Sequence, residues 1–439
     1  MDKKVILTIL ILFISPICFA VDRKDLNIEF FNRFNDDYLF QYVNEALENN
    51  HNAKQAMIRV EEYRQGLKSQ FSNELPSFSV AANYLGLHSP KINPNLSVNK
   101  NAFVLPFMAN YEADFLLKNK DKTKSATKTY EMSKFDEQSA YLALLSDVAT
   151  VYTNILEYDK LIEEQEKIVN NYNKILDNDN KKLALGVINT TELNNSKTNV
   201  EQVNITLESL IKQREVLLMQ FVFLIGRSSN GANTIKRGSI DNFEYNAVIP
   251  NEIVSDVIFA RPDVRRAEMA LEKAKIDIRI ARKELLPTFN IKGIWAFNTM
   301  APGKFFSWDS SLAALLAGAT LDIFTGGRKS ANLQLQKAKY EELFEQYRQA
   351  DLDAVKEVNT SLCIIKHDTE IENKTKEKLL IETENLNNAD KMLSRGIISK
   401  TQYIKSENIY INKDMDLTKA KTRRLVNYYT LYKTVGGKI

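Results

Sequence analysis

Residues 281–295, ARKELLPTFNIKGIW, change character at a single proline. Before Pro287 the chain consists of helix formers. After it, Phe289, Ile291, Trp295 and Phe297 fall on one parity and Asn290, Lys292 and Asn298 on the other, the period of a strand with one apolar face. The same transition is written earlier, in NELPSFSVAANY at 73–84, where helix formers run through Leu75 and Pro76 into Phe78, Val80, Ala82 and Tyr84 on one parity.

The two junctions belong to an internal repeat. LALGVINTTEL at 183–193 answers LSRGIISKTQY at 393–403, Ser196 answers Ser406, Gly226 answers Gly436, and Pro76 answers Pro287, all at an offset near 210. A constant offset across these landmarks makes the chain two copies of one unit: helix, strand, strand, long helix, turn, helix. The first repeat is expected over 21–227, with a helix at 52–74, strands at 76–88 and 101–116, and helices at 118–185 and 190–227. A linker follows at 228–250. The second repeat, 251–439, has helices at 262–285, 328–396 and 400–434 and strands at 287–299 and 308–324.

Helix periodicity gives the unit its form. Between Lys118 and Leu185 there is no proline, and Val148, Ile155, Ile162, Val169 and Leu176 recur every seven residues, as in coiled-coil contact. A second seam, Leu161, Ile168 and Ile175, is displaced around the same helix. Two seams predict a neighbour on each side, as in a wall of helices. Such a helix would be roughly 100 Å long, and the shorter helices of the same repeat, stacked end to end, would run alongside it. Pro262 and Asp263 suit a helix start, the proline at the first position and the acid at the positive end of the dipole.

The strands bear on the compartment. From Phe103 to Phe115 every odd residue is apolar, whereas the even side ends in Asn110, Glu112 and Asp114, a pattern of transmembrane-barrel length. The fourth strand, SLAALLAGATLDIF, alternates poorly. Four strands cannot close a barrel, and open edges are not tolerated in lipid, so a lipid-spanning sheet must be shared between chains. On strand pattern alone, two amphipathic hairpins packed on helices in a soluble protein remain an alternative.

Composition excludes other classes. The 59 Lys and Arg are interspersed with 56 Asp and Glu, which leaves no basic stripe for nucleic acid. His51, His88 and His367 lie far apart without metal-ligand spacing, and no acid, base and nucleophile cluster, so neither enzyme chemistry nor a cofactor or metal is expected. Gly326-Gly327-Arg328-Lys329 lacks the spacing of a nucleotide loop and reads as a strand-to-helix bend. At the N-terminus, Lys3 and Lys4, the apolar stretch Val5–Ile14 and Cys18-Phe19-Ala20 resemble a signal peptide, residues 1–20, cut after Ala20. Lipidation of Cys18 is the alternative, although Ile17 precedes it where a lipobox wants a small residue. Removal of the leader would leave Cys363 as the single thiol.

Together these residues resemble the TolC-like outer-membrane efflux proteins, and within them the OprM and NodT branch, over nearly the whole mature chain. The resemblance rests on Arg261-Pro262-Asp263-Val264-Arg265 with Ala267-Glu268, Leu286-Pro287, Tyr111-Glu112-Ala113-Asp114, the run from Leu321 to Arg328, Glu357-Val358, the Gly186 and Gly396 turns, and Leu431-Tyr432-Lys433 with Gly436-Gly437. It implies a long α-helical barrel continuous with a transmembrane β-barrel, four strands from each chain of a homotrimer giving twelve. The implied place is the outer membrane of a Gram-negative bacterium, with most of the chain in the periplasm. The implied function is the exit duct of a tripartite pump, passing drugs and other small toxic compounds from an inner-membrane transporter and a periplasmic adaptor to the outside. A duct for type I protein secretion or metal efflux would share the fold. From a different class, a periplasmic coiled-coil adaptor or scaffold is the rival, but residues 186–190 leave no room for the β domain an adaptor inserts there.

The resemblance also assigns sites. Pro76 and Pro287 match the junctions where helical cylinder becomes membrane barrel; proline ends helical hydrogen bonding and can begin a strand. Gly186, Val187 and Ile188, and Gly396, Ile397 and Ile398, match the periplasmic tips that meet the adaptor. Just beyond the tips, where the TolC branch carries aspartates around a narrow aperture, this chain has Glu192, Gln402 and Lys405. Threefold symmetry would turn each into a ring, so the aperture here is not expected to be strongly anionic. Leu117 stands where the family usually has glycine. Trp295 and Trp308 flank a 299–307 loop containing Phe305 and Phe306, candidates for an outer-leaflet anchor or a plug.

Overall fold

The computed structural model describes residues 26–88, 99–228, 234–250, 252–298 and 306–439. The signal segment 1–20, with Cys18, lies outside the described residues, as do 299–305 with Phe305 and part of the 228–250 linker. Two compact units form, and they cut across the repeats. One takes Met1–Met57, Asp136–Pro262 and Asp353–Ile439; the other takes Ile58–Phe135 and Asp263–Leu352.

The described elements are α1 (Glu29–Asn32), α2 (Leu39–Asn49), α3 (His51–Phe71), β1 (Ser77–Val80), β2 (Asn83–His88), β3 (Asn99–Glu112), α4 (Lys118–Ala184), α5 (Thr190–Leu224), α6 (Ser255–Phe259), α7 (Pro262–Lys283), β4 (Thr288–Asn298), β5 (Ser311–Thr320), α8 (Arg328–Ser394) and α9 (Lys400–Thr434). The long helices α4 and α8 each have 67 residues, and α5 and α9 each have 35. No described helix is long and apolar enough to cross a membrane.

In the first unit, the α4 seam of Leu161 and Ile168 packs against Ile411 and Met415 of α9, with Val203 and Leu210 of α5 against the same cluster. One displaced seam therefore serves both neighbours. Of the other seam, Val148, Ile155 and Ile162 are buried, while Val169 and Leu176 are only half-buried toward the turn. An aromatic core lies at the other end of this unit, where Phe30 stacks on Tyr432 at 4.8 Å, Phe34 on Phe243 at 5.5 Å, and Tyr42 meets Phe221 at 5.1 Å. Helices α1 and α2, with Phe34 between them, supply half of it. They have no counterpart in the sequence expectations, because 11 residues or fewer give too few turns for a periodic signal.

The second unit holds one antiparallel sheet in the order β1/β2, β3, β4, β5. The expected first strand, 76–88, is broken: β1 and β2 both pair with β3 and part at Ala81-Ala82, where Ala81 N donates to Pro106 O at 3.1 Å. In an antiparallel ladder a residue's N–H and C=O address the same neighbour, so Pro106, lacking its N–H, removes one bond from that side. β3 ends at Glu112 rather than near 116, since Asp114 accepts the Lys118 and Lys120 N–H groups at 2.6 and 2.9 Å and caps α4. The expected 308–324 strand is shorter, with a 3-10 turn at Trp308–Ser310 before β5.

Register sorts the two faces. Phe78 lies opposite Ala109, Val80 opposite Phe107, Phe107 opposite Trp295, and Tyr111 opposite Ile291, so one face is apolar across three strands. The other carries Ser77 opposite Asn110, Asn110 opposite Lys292, and Glu112 opposite Asn290. The weak alternation of β5 is resolved by size: Ala313, Leu315, Ala317 and Ala319 join the apolar face, while Leu312 and Leu316 lie on the other.

The entry to α4 carries strain. Leu117 has φ +57°, and Gly327, its counterpart in the second repeat, has φ +80°. A side chain in the left-handed region costs roughly 1–2 kcal/mol. Leu117→Gly should therefore leave the thermal unfolding midpoint unchanged or higher, whereas Leu117→Val, β-branched at the same angle, should lower it. Thermal melts followed by circular dichroism in detergent compare the three.

Candidate functional site

The two helix turns are built alike. At the first, Val187 N donates to Lys182 O at 2.8 Å and Gly186 N to Leu183 O at 2.9 Å; at the second, Ile397 N donates to Met392 O and Gly396 N to Leu393 O, both at 2.9 Å. This is the pattern that closes a helix through a left-handed residue, and the φ of +70° at Gly186 and +69° at Gly396 explains why glycine stands at each. The cap of the next helix stands three residues after each glycine. Asn189 caps α5 by accepting from Glu192 N at 2.9 Å, and Ser399 caps α9 by accepting from Gln402 N at 3.2 Å.

Turn geometry accounts for the glycines but not for the side chains between glycine and cap. Val187 is 67% and Ile397 61% exposed, while Ile188 and Ile398 are half-buried. Between glycine and cap each turn thus presents one apolar side chain to its surroundings and tucks in the next, and the first turn also exposes Leu185 ahead of its glycine. The turns also lie close together. Asn178 Nδ2 near the end of α4 donates to Thr401 Oγ1 in the first turn of α9 at 3.1 Å.

The three candidate aperture residues are all exposed, but their engagements differ. Glu192 carries its carboxylate free of any hydrogen bond or ion pair among the described residues, with its N–H spent on the cap. Gln402 closes a capping box, its Oε1 accepting from Ser399 N at 3.2 Å, so its amide is held by the first turn of α9. Lys405 lies in the field of Asp179 of α4.

Asp179 was not expected from sequence. It accepts the Ser196 hydroxyl of α5 at 2.6 Å and Lys182 Nζ at 3.0 Å, and so joins polar groups of α4 and α5 beside the turns. Burial alone would raise its carboxyl pKa, but Ser196, Lys182 and then Lys405 outweigh burial and hold it below the usual carboxylate range. The pairing of Ser196 with Ser406 across the repeats marked the position; nothing in one sequence marked its partner.

The junction prolines belong to the other unit. Pro76 immediately precedes β1 and Pro287 immediately precedes β4. Phe306 packs on Phe297 with ring centroids 5.6 Å apart, and Trp308 is exposed.

Comparison with known proteins follows this geometry. The family model described as "Outer membrane efflux protein" matches residues 42–227 and 253–437. The chain is 24% identical over 416 residues to the outer membrane protein OprJ of Pseudomonas aeruginosa, covering 92% of this chain and 84% of OprJ. It is 22% identical over 413 residues to the cation efflux system protein CusC of Escherichia coli K12, covering 92% and 87%. Among solved structures, the Campylobacter jejuni CmeC outer membrane channel superposes with a TM-score of 0.85 at 20% identity, covering 97% of this chain and 94% of that one. The open-state MtrE outer membrane channel of Neisseria gonorrhoeae gives 0.82 at 21% identity, with 95% and 94% covered.

The depressed Asp179 pKa sets a pH dependence. A lowered carboxylate pKa contributes stability above the unfolded value, near 3.8, which is lost as pH falls through the folded value. Asp179→Asn should lower stability at pH 7 by about 1 kcal/mol, since the group is partly solvated. The difference from wild type should shrink below pH ~4. Melts at pH 7 and pH 3 measure it.

Proposed function

The chain belongs to the outer membrane efflux protein family, and we propose that it works as the trimeric exit duct of a tripartite pump. In this reading small molecules pass from an inner-membrane transporter and a periplasmic adaptor to the outside. Its sheet lies in the outer membrane and most of its chain in the periplasm. Residues 1–20 act as the export leader, and the two tandem repeats each give a strand pair to the barrel and a helix pair to the duct wall.

The observation that carries the reading is the sheet. It is four strands wide and has an apolar face, and among the described residues its outer edges at β1/β2 and β5 pair with nothing. In hydrocarbon each unpaired backbone group costs several kcal/mol, so the sheet needs further strands on both edges. Three copies supply twelve, above the minimum for a lipid-spanning barrel. Exposed apolar side chains on the helices, such as Val216, Met219 and Phe223 of α5 and Leu352 and Leu380 of α8, support further burial against copies of the same chain.

The turns are the adaptor contact. Val187 and Ile397, each exposed beside a rigid glycine-closed turn, are small apolar knobs of the kind a helical hairpin can grip. Glu192, Gln402 and Lys405 are the aperture candidates. With one free acid, one amide held in a capping box and one base in the field of Asp179, three copies give rings of mixed sign and a weakly selective mouth. Pro76 and Pro287 mark the passage from duct to barrel. A cation cargo is the second reading, favoured by the cation-efflux relative's coverage, which equals that of the OprJ match on this chain.

The test is protein purified from fractionated membranes in detergent, examined by mass and heat-modifiability and then by single-channel conductance in planar bilayers. Trimers that open discrete conductances are expected, and Lys405→Asp should shift the reversal potential toward cations. A water-soluble periplasmic monomer without conductance would sink the duct.

A further inference from the structure

Where the sheet gives way to helices, three segments meet. Lys283 Nζ at the end of α7 donates to Leu117 O at 3.0 Å and lies 2.7 Å from Asp121 Oδ2 of α4. Asn332 Nδ2 in α8 donates to Glu284 Oε2 at 3.2 Å, which brings the start of α8 to the same place.

The acids of these three segments are spent internally, whereas Glu74, just ahead of β1, has no ion pair among the described residues. Glu112 pairs with Lys118 at 2.7 Å, Asp114 caps α4, and Asp322 pairs with Lys329 at 3.1 Å. Asp121 is buried, which raises its pKa, but Lys283 and Arg279 hold its carboxyl below the usual range. What remains is cationic. Lys120, Lys124, Arg282 and Arg328 are exposed, and none has a carboxylate within ion-pair distance among the described residues. Lys120 and Arg328 moreover occupy the first turns of α4 and α8, where the helix dipole disfavours positive charge. No ion pair among the described residues accounts for them.

The second feature is apolar. Three of the four cations have an exposed apolar side chain three or four residues toward the sheet: Leu117 before Lys120, Leu286 after Arg282, and Phe324 before Arg328. These are 51%, 45% and 89% exposed. The same order recurs in all three segments. Apolar face, apolar rim, then cation is the profile of hydrocarbon, interface and headgroup layer.

We propose that these helix ends form a cationic collar that binds anionic phospholipid headgroups of the periplasmic leaflet. The proposal rests on the outer-membrane barrel reading, because that reading puts the helical side of the sheet against this leaflet. The collar ties the barrel at a fixed depth and makes its stability depend on lipid charge.

The experiment reconstitutes full-length protein in nanodiscs of phosphatidylcholine, with or without one third phosphatidylglycerol. Flotation and heat-modifiability report the barrel; the melting temperature and the lipids retained in native mass spectrometry report the collar. Wild type should melt several degrees higher with phosphatidylglycerol and retain it over phosphatidylcholine by roughly five-fold for each engaged cation. Both effects should fade in high salt. The variant combining Lys120→Gln, Lys124→Gln, Arg282→Gln and Arg328→Gln, and a milder one with Lys120→Gln and Arg328→Gln, should float and remain heat-modifiable while losing the preference in that order. An inserted wild type indifferent to phosphatidylglycerol, or variants that keep the preference, would overturn the collar and leave the barrel intact. Equal protection by inorganic phosphate in neutral discs would overturn the lipid assignment. Failure to insert at all would remove the barrel reading and the collar with it.

Discussion

The backbone hydrogen bond at a sheet edge governs this structure. A sheet with one apolar face and two unpaired edges is stable neither in water, where the face is exposed, nor in lipid, where the edges are. Closure of the edges by other copies, with the apolar face turned to lipid, would remove both problems at once. The helical part then inherits a geometric demand. If three copies share one barrel, their helices must line a wall, which requires helices contacted on both sides. The Leu161 and Ile168 seam, touched by α5 and α9 together, answers that demand within a single chain.

The repeat meets these demands twice, with different residues. At the start of the first repeat's short helix, Asn50 caps α3 through the Asn52 and Ala53 N–H groups and donates to Leu224 O at 2.8 Å. At the matching place in the second repeat stands Arg261, buried, with Nη2 2.7 Å from Glu357, ahead of Pro262 at the first helical position. One copy tethers the helix start with an amide and the other with a guanidinium and a proline. The bend into the long helix differs likewise, a strained Leu117 in one copy and paired glycines in the other. The copies have kept the positions of their constraints while exchanging the chemistry that meets them.

Legibility in the sequence followed the length and regularity of each signal. Sixty-seven proline-free residues with a seven-residue period identify a long helix almost regardless of context, and the alternation after Pro287 identifies a strand. The break at Ala81-Ala82 was concealed because its cause, Pro106, sits in the neighbouring strand and acts through a bond it cannot make. At the turns, the glycines and exposed apolar residues were readable from their repetition. The employment of Gln402 in a capping box, and the place of Asp179 beside Lys405, were not, because both depend on which atoms of separate helices face each other.

The segment between the repeats shows the limit of periodicity most plainly. Residues 235–246 form neither helix nor strand beyond an isolated bridge from Tyr245 to Phe34, yet the segment is fixed across α4 and α9. Ile240 and Phe243 are fully buried and supply most of the hold by removing apolar surface from water. Charge sets the register: Arg237 pairs with Asp159, Asp241 lies 3.4 Å from Lys160, and Glu244 lies 3.0 and 3.1 Å from Lys421 and Arg424. Burial would raise the Glu244 pKa, but its two cations hold it below the usual range, so it stays ionised in the folded chain. Pairs at such half-exposed sites contribute about 1 kcal/mol or less each. A segment too short and irregular to bury a continuous face can therefore be placed by two apolar plugs and aligned by several weak ion pairs. Because the plugs fix where it docks and the charges fix only how it lies, losing one pair should shift the segment's alignment without releasing it.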